Sequence, residues 1–548
     1  MFFDAEAYDR FCLSKEDAER VEEAEKKEKE DEKKAEETGK SKKEKKADGK
    51  KDKADKEDEV KPLVFDLDNC RDRVKRLTVN SSHLGDGFLS SKGDKFYYQS
   101  RFEQGYDLWV HDLKENSTKI LLKGAGSGLL NADKKKEHLY LCTGSGLKKI
   151  KLEDGKATDI SFKARFDYRP AEERAYLFEH AWRQVQDKFY VENLHGTDWA
   201  YYRENYERFL PYINNNYDFA EMLSEMLGEL NGSHTGCRYY SDKDVLPTAS
   251  LGVYFDTAYE GDGLRIAEII AKSPLTLMKT EACAGCIIEA IDGTPVRKGE
   301  DYYPLLEGKV NEKIRLDLYN PATQKRFTAT IKGLGSGQLG ELLYQRWVER
   351  NRAEVERLSE KRVGYVHIKG MDSPSFRTLY SELLGRYRNY DAVVIDTRHN
   401  GGGWLHDDVV TLLSGKEYQQ FVPRGQYIGS DPFNKWLKPS CMLVCEDNYS
   451  NACGTPWVYR TLGIGKLVGT SIPGTMTAVW WERQMDPTLV FGIPQVGCRD
   501  MNGVYSENTS VDPDIEVFNR PEEHLKGIDK QLETAVQLML ETIKKPRL

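Results

Sequence analysis

A serine at the junction of a predicted strand and a predicted helix is the first residue whose setting suggests chemistry. Residues 442–445 form a short apolar run of strand length, and residues 446–448 are polar and break it. Apolar side chains then recur at helical spacing over residues 457–462. Ser450 lies in the turn between them, where it could be a helix N-cap, which residue chemistry alone favours. It could also be a nucleophile supported by the N–H groups of the helix N-terminus, which requires a base from elsewhere.

A candidate base follows a helix much earlier in the chain. The pattern of residues 219–230 predicts an amphipathic helix, and Asn231 and Gly232 are typical of its C-cap. Ser233 and His234 come next. A histidine placed by a capped helix suits proton transfer, although a surface or structural histidine is the commoner outcome.

A glycine loop supplies candidate oxyanion donors. Residues 391–395 predict a buried strand, and Gly401, Gly402 and Gly403 follow it, where sites form in open α/β sheets. Glycines allow backbone N–H groups to approach a ligand oxygen closely, although a flexible connector is the simpler explanation. The N–H groups of Gly402 and Asn451 are therefore candidates for a two-donor oxyanion hole.

Composition excludes several classes of function. The chain has 548 residues, 39% of them hydrophobic, which predicts three or four domains. It has no apolar run of membrane length, no signal-peptide layout and no basic face, so we expect a cytoplasmic protein without membrane or nucleic-acid partners. The ten cysteines are scattered, which argues against a disulfide framework. Cys283 and Cys286 have half-site spacing but no second pair, so we predict a structural role for them and no metal or cofactor.

The N-terminal third divides into two predicted segments. Residues 1–62 are rich in Lys, Glu and Asp, which predicts a solvated helix or disordered linker. Residues 63–166 contain two sets of short strands at the spacing of β-propeller blades. Because a propeller needs at least four blades, the sequence favours the C-terminal part of a longer protein over an irregular sheet.

Three further segments follow. Residues 167–250 are predicted to be the helical part of the core that carries His234. The strand order of residues 251–335 resembles a PDZ domain, in which Leu251, Gly252, Val253 and Tyr254 would form the carboxylate-binding loop and an extended peptide would add a strand. Residues 336–548 alternate helices with buried strands, which is typical of an α/β layer fold.

The order of these motifs resembles the tricorn proteases, within the wider family of carboxyl-terminal processing peptidases. The segments that carry the resemblance are SHTG, the PDZ-like unit, DTRHNGGG, YSNACG and ENTSVDPDIEV. It implies a multidomain α/β protein with a crotonase/ClpP-like core, an inserted PDZ-like domain, a helical subdomain and propeller-like blades. It also implies roles for individual residues: Ser450 as nucleophile, His234 as general base, Glu507 as the acid of the relay, Ser233 as an auxiliary serine, and Gly402 and Asn451 as oxyanion donors.

Alternative bases fit less well. A sister branch of the family uses a lysine 25 residues after the serine, and Thr475 occupies that position here. Lys466 comes too early. His399 and His406 flank the glycine loop and are rival bases. A pair of Ser450 with His234 is preferred to a Ser–Lys dyad.

The sequence therefore predicts a serine peptidase that cleaves unfolded polypeptides or oligopeptides through an acyl-enzyme. The Ser450 Oγ and the His234 ring should lie within hydrogen-bond reach or slightly beyond it. A catalytically inactive, PDZ-type peptide-binding scaffold is the alternative. The resemblance also implies a homo-oligomeric ring. It does not transfer substrate preference, because archaeal members use an upstream acidic residue and residues 421–427 offer none.

Overall fold

The computed structural model describes residues 1–39, 65–78, 81–102, 105–240 and 246–544. The chain divides into two compact units, Met1–Asp167 and Tyr168–Leu548. None of the helices in the described ranges is long and apolar enough to cross a membrane.

The first unit contains two helices followed by two antiparallel sheets. Their bounds are α1 Ala5–Cys12, α2 Lys15–Gly39, β1 His83–Leu89, β2 Lys95–Arg101, β3 Asp107–Asp112, β4 Ser117–Leu122, β5 Gly128–Ala132, β6 His138–Thr143, β7 Gly146–Lys151 and β8 Ala157–Ile160. Each sheet is a four-stranded meander in sequence order, β1 to β4 and β5 to β8. Leu108 from one sheet and Leu139 and Ile150 from the other are fully buried in a shared apolar cluster.

The charged N-terminal run is helical where the structure describes it. Lys15–Gly39 forms α2, and the Asp17 N–H donates to Ser14 Oγ just before it. Glu, Lys and Ala are strong helix formers, and alternating charges four residues apart support such a helix without a buried face. Of the two predicted alternatives, the solvated helix and not the disordered linker describes this part, and the remainder of the predicted segment from residue 40 to 62 lies outside the described residues.

The second unit mixes helices with several sheets. Its helices are α3 Pro170–Lys188, α4 Trp199–Glu207, α5 Asn216–Gly228, α6 Pro274–Leu277, α7 Ser336–Ser359, α8 Ser373–Ser381, α9 His406–Leu413, α10 Asn451–Thr461, α11 Pro521–His524 and α12 Lys530–Lys544. Its strands are β9 Cys237–Tyr239, β10 Val253–Phe255, β11 Leu264–Ile269, β12 Ile287–Ile291, β13 Thr294–Pro295, β14 Lys313–Asn320, β15 Lys325–Lys332, β16 Val363–His367, β17 Ala392–Asp396, β18 Gln419–Phe421, β19 Gly429–Asp431, β20 Ser440–Val444, β21 Lys466–Gly469, β22 Ile472–Pro473, β23 Thr477–Arg483, β24 Leu489–Gly497, β25 Ser510–Val511 and β26 Ile515–Glu516.

A helical layer packs on a three-stranded sheet and carries the histidine turn. The sheet has the order β23-β24-β9. Leu177 of α3 and Phe219 of α5 share an apolar cluster with Phe491 of β24. Pro170 occupies the first turn of α3, where its missing N–H costs nothing. The turn between α5 and β9 is thereby held against the sheet.

A second antiparallel sheet lies between the helical layer and the parallel sheet in sequence. Its strands run in the order β10-β11-β12-β14-β15, with β13 paired to β12. Ile288, Ile291, Ile314 and Leu316 are buried between this sheet and its connections. Strand β10 is at the edge of this path.

The largest core surrounds a five-stranded parallel sheet with the order β16-β17-β20-β21-β26. The strands of this sheet lie side by side in the order in which the chain forms them. Crossovers of the usual right hand therefore place the connecting helices α8, α9 and α10 on one face. Helices α7 and α12 cover the other face. Asp396 at the end of β17 pairs in register with Leu443 of β20, so the loops after both strands leave the same edge.

The central position of β20 makes its side chains sensitive to truncation. Leu443→Ala should lower the free energy of unfolding of the second unit by about 2–5 kcal/mol, because Leu443 is fully buried and a cavity would remain. Lys466→Ala, at the exposed start of β21, should change it by less than about 0.5 kcal/mol. Urea unfolding followed by tryptophan fluorescence measures both. Equal effects would contradict this assignment of the core.

Candidate active site

Ser450 occupies a strained turn between β20 and α10. Its backbone angles are φ 56° and ψ −126°, a region that favours glycine. It stands at the N-cap position of α10, where residue chemistry favours it, but its side chain makes no capping hydrogen bond. The Ser450 N–H donates to Thr475 Oγ1 at 2.8 Å. The turn thus leaves the hydroxyl uncommitted within the described part of the chain.

Two buried asparagines hold this turn against the sheet edge. Asn448 Nδ2 donates to Thr397 Oγ1 at 3.0 Å and to the Ala452 carbonyl at 3.1 Å, while its Oδ1 accepts from the Cys445 N–H. Asn400 Nδ2 donates to the Ile368 carbonyl at 2.7 Å, and the backbone carbonyl of Asn400 accepts from the Tyr449 N–H at 3.0 Å. These bonds satisfy buried polar groups that the turn itself cannot pair.

The glycine loop touches the nucleophile turn directly. A Cβ on Gly402, whose φ is +98°, would lie 2.6 Å from Ser450 Cβ, so only glycine allows this approach. The Gly402 N–H donates to Asn400 Oδ1 at 2.9 Å. It is therefore not available as the predicted oxyanion donor in this conformation. Gly403 lines the cavity beside Ser450, and its N–H has no acceptor among the described residues.

Asn451 begins α10 and joins it to the glycine loop. Its Oδ1 accepts from the N–H groups of Leu405 and His406 at 2.8 and 3.1 Å, and its Nδ2 donates to His406 Nδ1 at 2.8 Å. The backbone N–H of Asn451 finds no acceptor in the described ranges. The residue lines the same cavity as Gly403.

His234 follows α5 with a left-handed φ of 63°. Its N–H donates to Tyr449 Oη at 2.7 Å, and the two rings lie 4.8 Å apart. Its Nδ1 is 2.8 Å from Ser233 Oγ and 3.0 Å from Thr477 Oγ1. Burial, assisted by the nearby Arg238 guanidinium, lowers the pKa of His234 to about 4, so the imidazole is neutral at neutral pH.

Glu507 is a buried carboxylate bound by a residue 274 positions earlier in the chain. Glu507 Oε1 accepts from the Ser233 N–H at 2.5 Å, and Oε2 accepts from Ser233 Oγ at 3.0 Å. Burial raises the pKa of Glu507, while the two hydrogen bonds from Ser233 oppose that shift. The structure thus brings together Glu507, Ser233 and His234.

One cavity of about 430 Å³ contains both ends of the predicted pair. Its lining includes Ser450, His234, Tyr449, Trp404 and Trp481. No hydrogen bond joins Ser450 Oγ to His234 within the described residues. The two side chains therefore share the cavity without the hydrogen bond that proton transfer requires.

The rival bases lie elsewhere. Hydrogen bonds to the Cys445 thiol and to Asp447 raise the pKa of His399 to about 9, so that ring is protonated at neutral pH. His406 Nδ1 is occupied by Asn451, and neither histidine lines the cavity. Lys466 pairs with Cys441 at the opposite end of β20 from Ser450. Thr475 stands at the position that a dyad lysine would occupy and binds the Ser450 backbone instead.

Two groups of side chains outside the cavity consist of residue types that can bind metal ions. The ligand atoms of His399, Cys445 and Asp447 lie within 4.8 Å of one another, and His399 Nδ1 already bonds Asp447 Oδ2 at 2.8 Å. Cys283 Sγ and Cys286 Sγ are 3.5 Å apart as free thiols.

The predicted peptide loop is packed inward: Leu251 is buried and the Gly252 N–H donates to Ser250 Oγ, whereas Tyr254 is exposed.

Sequence reasoning missed several residues at the site. Thr477 and Arg238 reach the cavity from β23 and β9, and Trp481 lies beside Arg238. Tyr449, next to the serine, was available as a signal because an aromatic residue beside a nucleophile can contact its base. The other three depend on the pairing of β9 and β23 with β24, which no local pattern encodes.

Comparison with known proteins agrees with this geometry. Residues 170–228 match the tricorn protease C1 domain, and residues 362–517 match peptidase family S41. The second match contains the parallel sheet, the glycine loop and Ser450. These two segments are therefore similar to the corresponding domains of tricorn-type S41 serine peptidases.

Relatives extend the similarity beyond the two domains. Over 474 residues, 82% of the chain is 26% identical to the tricorn protease of Thermoplasma acidophilum, of which it covers 42%. A putative tricorn-like protease C-terminal subunit of Sulfurisphaera tokodaii is 28% identical over 390 residues, which are 68% of this chain and 44% of that protein. A crystal structure of the tricorn protease superposes with a TM-score of 0.71 over 82% of this chain and 46% of that one, at 22% identity, which supports the mixed α/β fold. The chain spans less than half the length of these relatives.

The strain at Ser450 is measurable in a variant pair. Ser450→Gly should be more stable than Ser450→Ala by about 1–2 kcal/mol, because glycine adopts φ 56° and ψ −126° without the penalty of a Cβ. At Ser381, which has an ordinary helical φ of −69°, the same two substitutions should rank in the opposite order. Thermal unfolding of the four variants decides the point. An Ala variant at 450 as stable as the Gly variant would show that the turn is not strained.

Proposed function

We propose that this core hydrolyses peptide bonds in unfolded polypeptides or oligopeptides as a serine endopeptidase, through a Ser–His–Glu relay and an acyl-enzyme. The observation that carries the proposal is the cavity shared by Ser450 and His234. The strained turn holds an uncommitted hydroxyl there, and the imidazole beside it is bound on its far side to Ser233.

The hydrogen bonds of Ser233 define the proton positions of the relay. An ionised Glu507 can only accept, so the Ser233 hydroxyl donates to it. Ser233 Oγ then accepts the proton that His234 carries on Nδ1. This tautomer leaves Nε2 unprotonated, as a general base requires. Ser233 acts as a positioning residue, because its hydroxyl joins the Glu507 carboxylate to the imidazole by hydrogen bonds and so fixes the tautomer of the ring.

The chemical steps follow from this arrangement. A rotation of the Ser450 side chain or the His234 ring brings Oγ to Nε2, which takes the proton as Oγ attacks the peptide carbonyl. His234 then gives that proton to the departing amine, and the acyl group stays on Ser450. A water molecule, deprotonated by the same Nε2, hydrolyses the ester and restores the hydroxyl.

The oxyanion is assigned to the N–H groups of Gly403 and Asn451. Both residues line the cavity at Ser450, and both N–H groups lack acceptors among the described residues. Gly402, the donor expected from the resemblance, instead gives its N–H to Asn400. Its contribution is the close approach to Ser450. Two preorganised donors stabilise negative charge most when they face the reacting oxygen in a water-poor site.

The wider architecture is part of the same proposal. We infer that the parallel sheet and its helices form a crotonase/ClpP-like core, that residues 251–335 form a PDZ-like insert and that the two meanders are propeller-like blades. The strand orders support these inferences. A homo-oligomeric ring is proposed from the tricorn-type similarity alone.

Removal of any relay residue should lower turnover. Ser450→Ala and His234→Ala should each reduce kcat/KM by about 10⁴-fold or more, and the double variant should be little worse because the residues act as a unit. Glu507→Gln should reduce it by up to about 10⁴-fold while the fold remains. A fluorogenic peptide assay and labelling by a fluorophosphonate measure these effects.

Lys466→Ala is the control for that series, because Lys466 lies at the far end of the sheet. It should keep wild-type turnover and labelling. Loss of labelling in Lys466→Ala, with labelling retained in His234→Ala, would overturn the Ser–His assignment.

The acidic limb of the pH–rate profile should lie below 6.5. The base must be neutral, and since the pKa of His234 is lowered to about 4, turnover should persist until the pH falls towards that value. Arg238→Gln should move the limb to higher pH, because loss of a nearby cation favours the imidazolium. The dependence of kcat/KM on pH measures both shifts. A limb at or above 6.5 in the wild type would contradict this environment for His234.

A peptide-binding scaffold without catalysis remains the second candidate. Its support is the position of β10 at the edge of the 251–335 sheet, where an extended peptide could add a strand. Leu251, Gly252, Val253 and Tyr254 would then flank the bound chain. If wild-type protein binds peptides but neither cleaves them nor reacts with a fluorophosphonate, this candidate replaces the peptidase.

A further inference from the structure

An arginine lies beside the proposed relay without a hydrogen bond to any of its residues in the described part of the chain. Arg238 lies on the three-residue strand β9, four positions after His234, and lines the same cavity as Ser450. Its guanidinium stacks on the Trp481 ring at 4.0 Å from the centroid. The residue is exposed, and Trp481 also lines the cavity.

Arg238 has no carboxylate partner among the described residues. Several other arginines of this unit are paired: Arg346 with Glu268, and Arg398 with Asp396 and Asp529. The lining of the cavity includes no Asp or Glu among the described residues. The carboxylate of Glu507 is bound by Ser233 on the far side of His234. Within the part of the chain that the structure describes, no carboxylate therefore neutralises Arg238 at the cavity wall.

The sheet holds the guanidinium in place. Trp481 pairs in register with Gly492 of β24, where an added Cβ would lie 2.8 Å from the indole and 2.1 Å from the His234 carbonyl oxygen. The missing side chain lets the indole and the histidine turn pack over β24 together. Stacking on tryptophan restricts the arginine side chain and leaves its N–H groups free to bind in their own plane.

A planar, unpaired guanidinium beside a reacting centre matches one ligand chemistry well. Carboxylates accept two parallel N–H bonds from arginine, and such charged pairs are roughly twice as strong as neutral hydrogen bonds. We propose that Arg238 binds a carboxylate of the substrate next to the scissile bond, so that the enzyme prefers peptides with an acidic residue there. The inference rests on the proposed peptidase function.

Two groups of a peptide could supply this carboxylate: an Asp or Glu side chain, or the α-carboxylate of a short peptide. Four peptides separate them. They share one sequence around the cleaved bond, with Glu or Gln beside it, and each is made with a free or an amidated C-terminus. Assays at pH 8 keep His234 neutral in every variant, so that loss of the Arg238 charge does not act through the base.

The wild type should cleave the Glu peptide with a kcat/KM about 10-fold or more above that of the Gln peptide. In Arg238→Gln the ratio should fall to about 1, and Arg238→Glu should prefer a Lys peptide. Arg483→Gln is the matched control, because Arg483 is an exposed arginine on the same sheet outside the cavity lining, and it should keep the wild-type ratio. A ratio that follows the free C-terminus instead assigns the α-carboxylate as the ligand.

Binding measured without turnover separates this proposal from the peptidase itself. In a Ser450→Ala background, the Kd for a fluorescent Glu peptide should be lower than for the Gln peptide, and Arg238→Gln should abolish the difference. This test applies even if the wild type proves inactive. Equal affinities and equal rates for the carboxylate and amide forms, or a preference that survives Arg238→Gln, would overturn the role of Arg238.

Discussion

The buried contact between Glu507 and Ser233 is the constraint on which the site depends. A carboxylate removed from water is unfavourable unless hydrogen bonds satisfy it. Both oxygens of Glu507 are satisfied by one residue, through its backbone N–H and its hydroxyl. Since Ser233 is adjacent to His234, the contact fixes the histidine turn against the C-terminal part of the chain. The helical layer and the segment after β24 must therefore fold together before the proposed base is in position.

A second constraint acts at the nucleophile. Ser450 is held in a backbone region that costs about 1–3 kcal/mol for a residue with a Cβ. The hydrogen bonds of Thr475 and Asn400 and the close packing of Gly402 maintain that turn. Asn400 also accepts the Gly402 N–H, which leaves Gly403 as the proposed glycine donor. The strain at Ser450 and the choice of the proposed oxyanion donor thus depend on one network of contacts.

Arg238 supplies the charge of the cavity wall within the described residues. The proposed relay needs only one ionised acid, Glu507, which is bound by Ser233 on the far side of His234. Arg238 therefore contributes a charge at the wall that no Asp or Glu of the lining offsets among the described residues. A positive wall lowers the proton affinity of the base and also attracts anionic peptide groups. In the proposed mechanism, the basicity of His234 and the selection of substrate are coupled through Arg238.

The sequence by itself determined the local features of this protein. The apolar runs that became β17 and β20, the turn that carries Ser450, the glycine loop and the capped helix before His234 depend on nearest neighbours in the chain. The tertiary structure decided how those parts meet. Whether Gly402 or Gly403 exposes its N–H depends on Asn400, and Arg238 reaches the cavity only because β9 pairs with β24. Such contacts join residues far apart in sequence, and the direction of a single N–H or side chain leaves no periodic signal. In the charged N-terminal run even the local structure was left open, because its composition permitted helix or disorder. The structure shows that Lys15–Gly39 is helical.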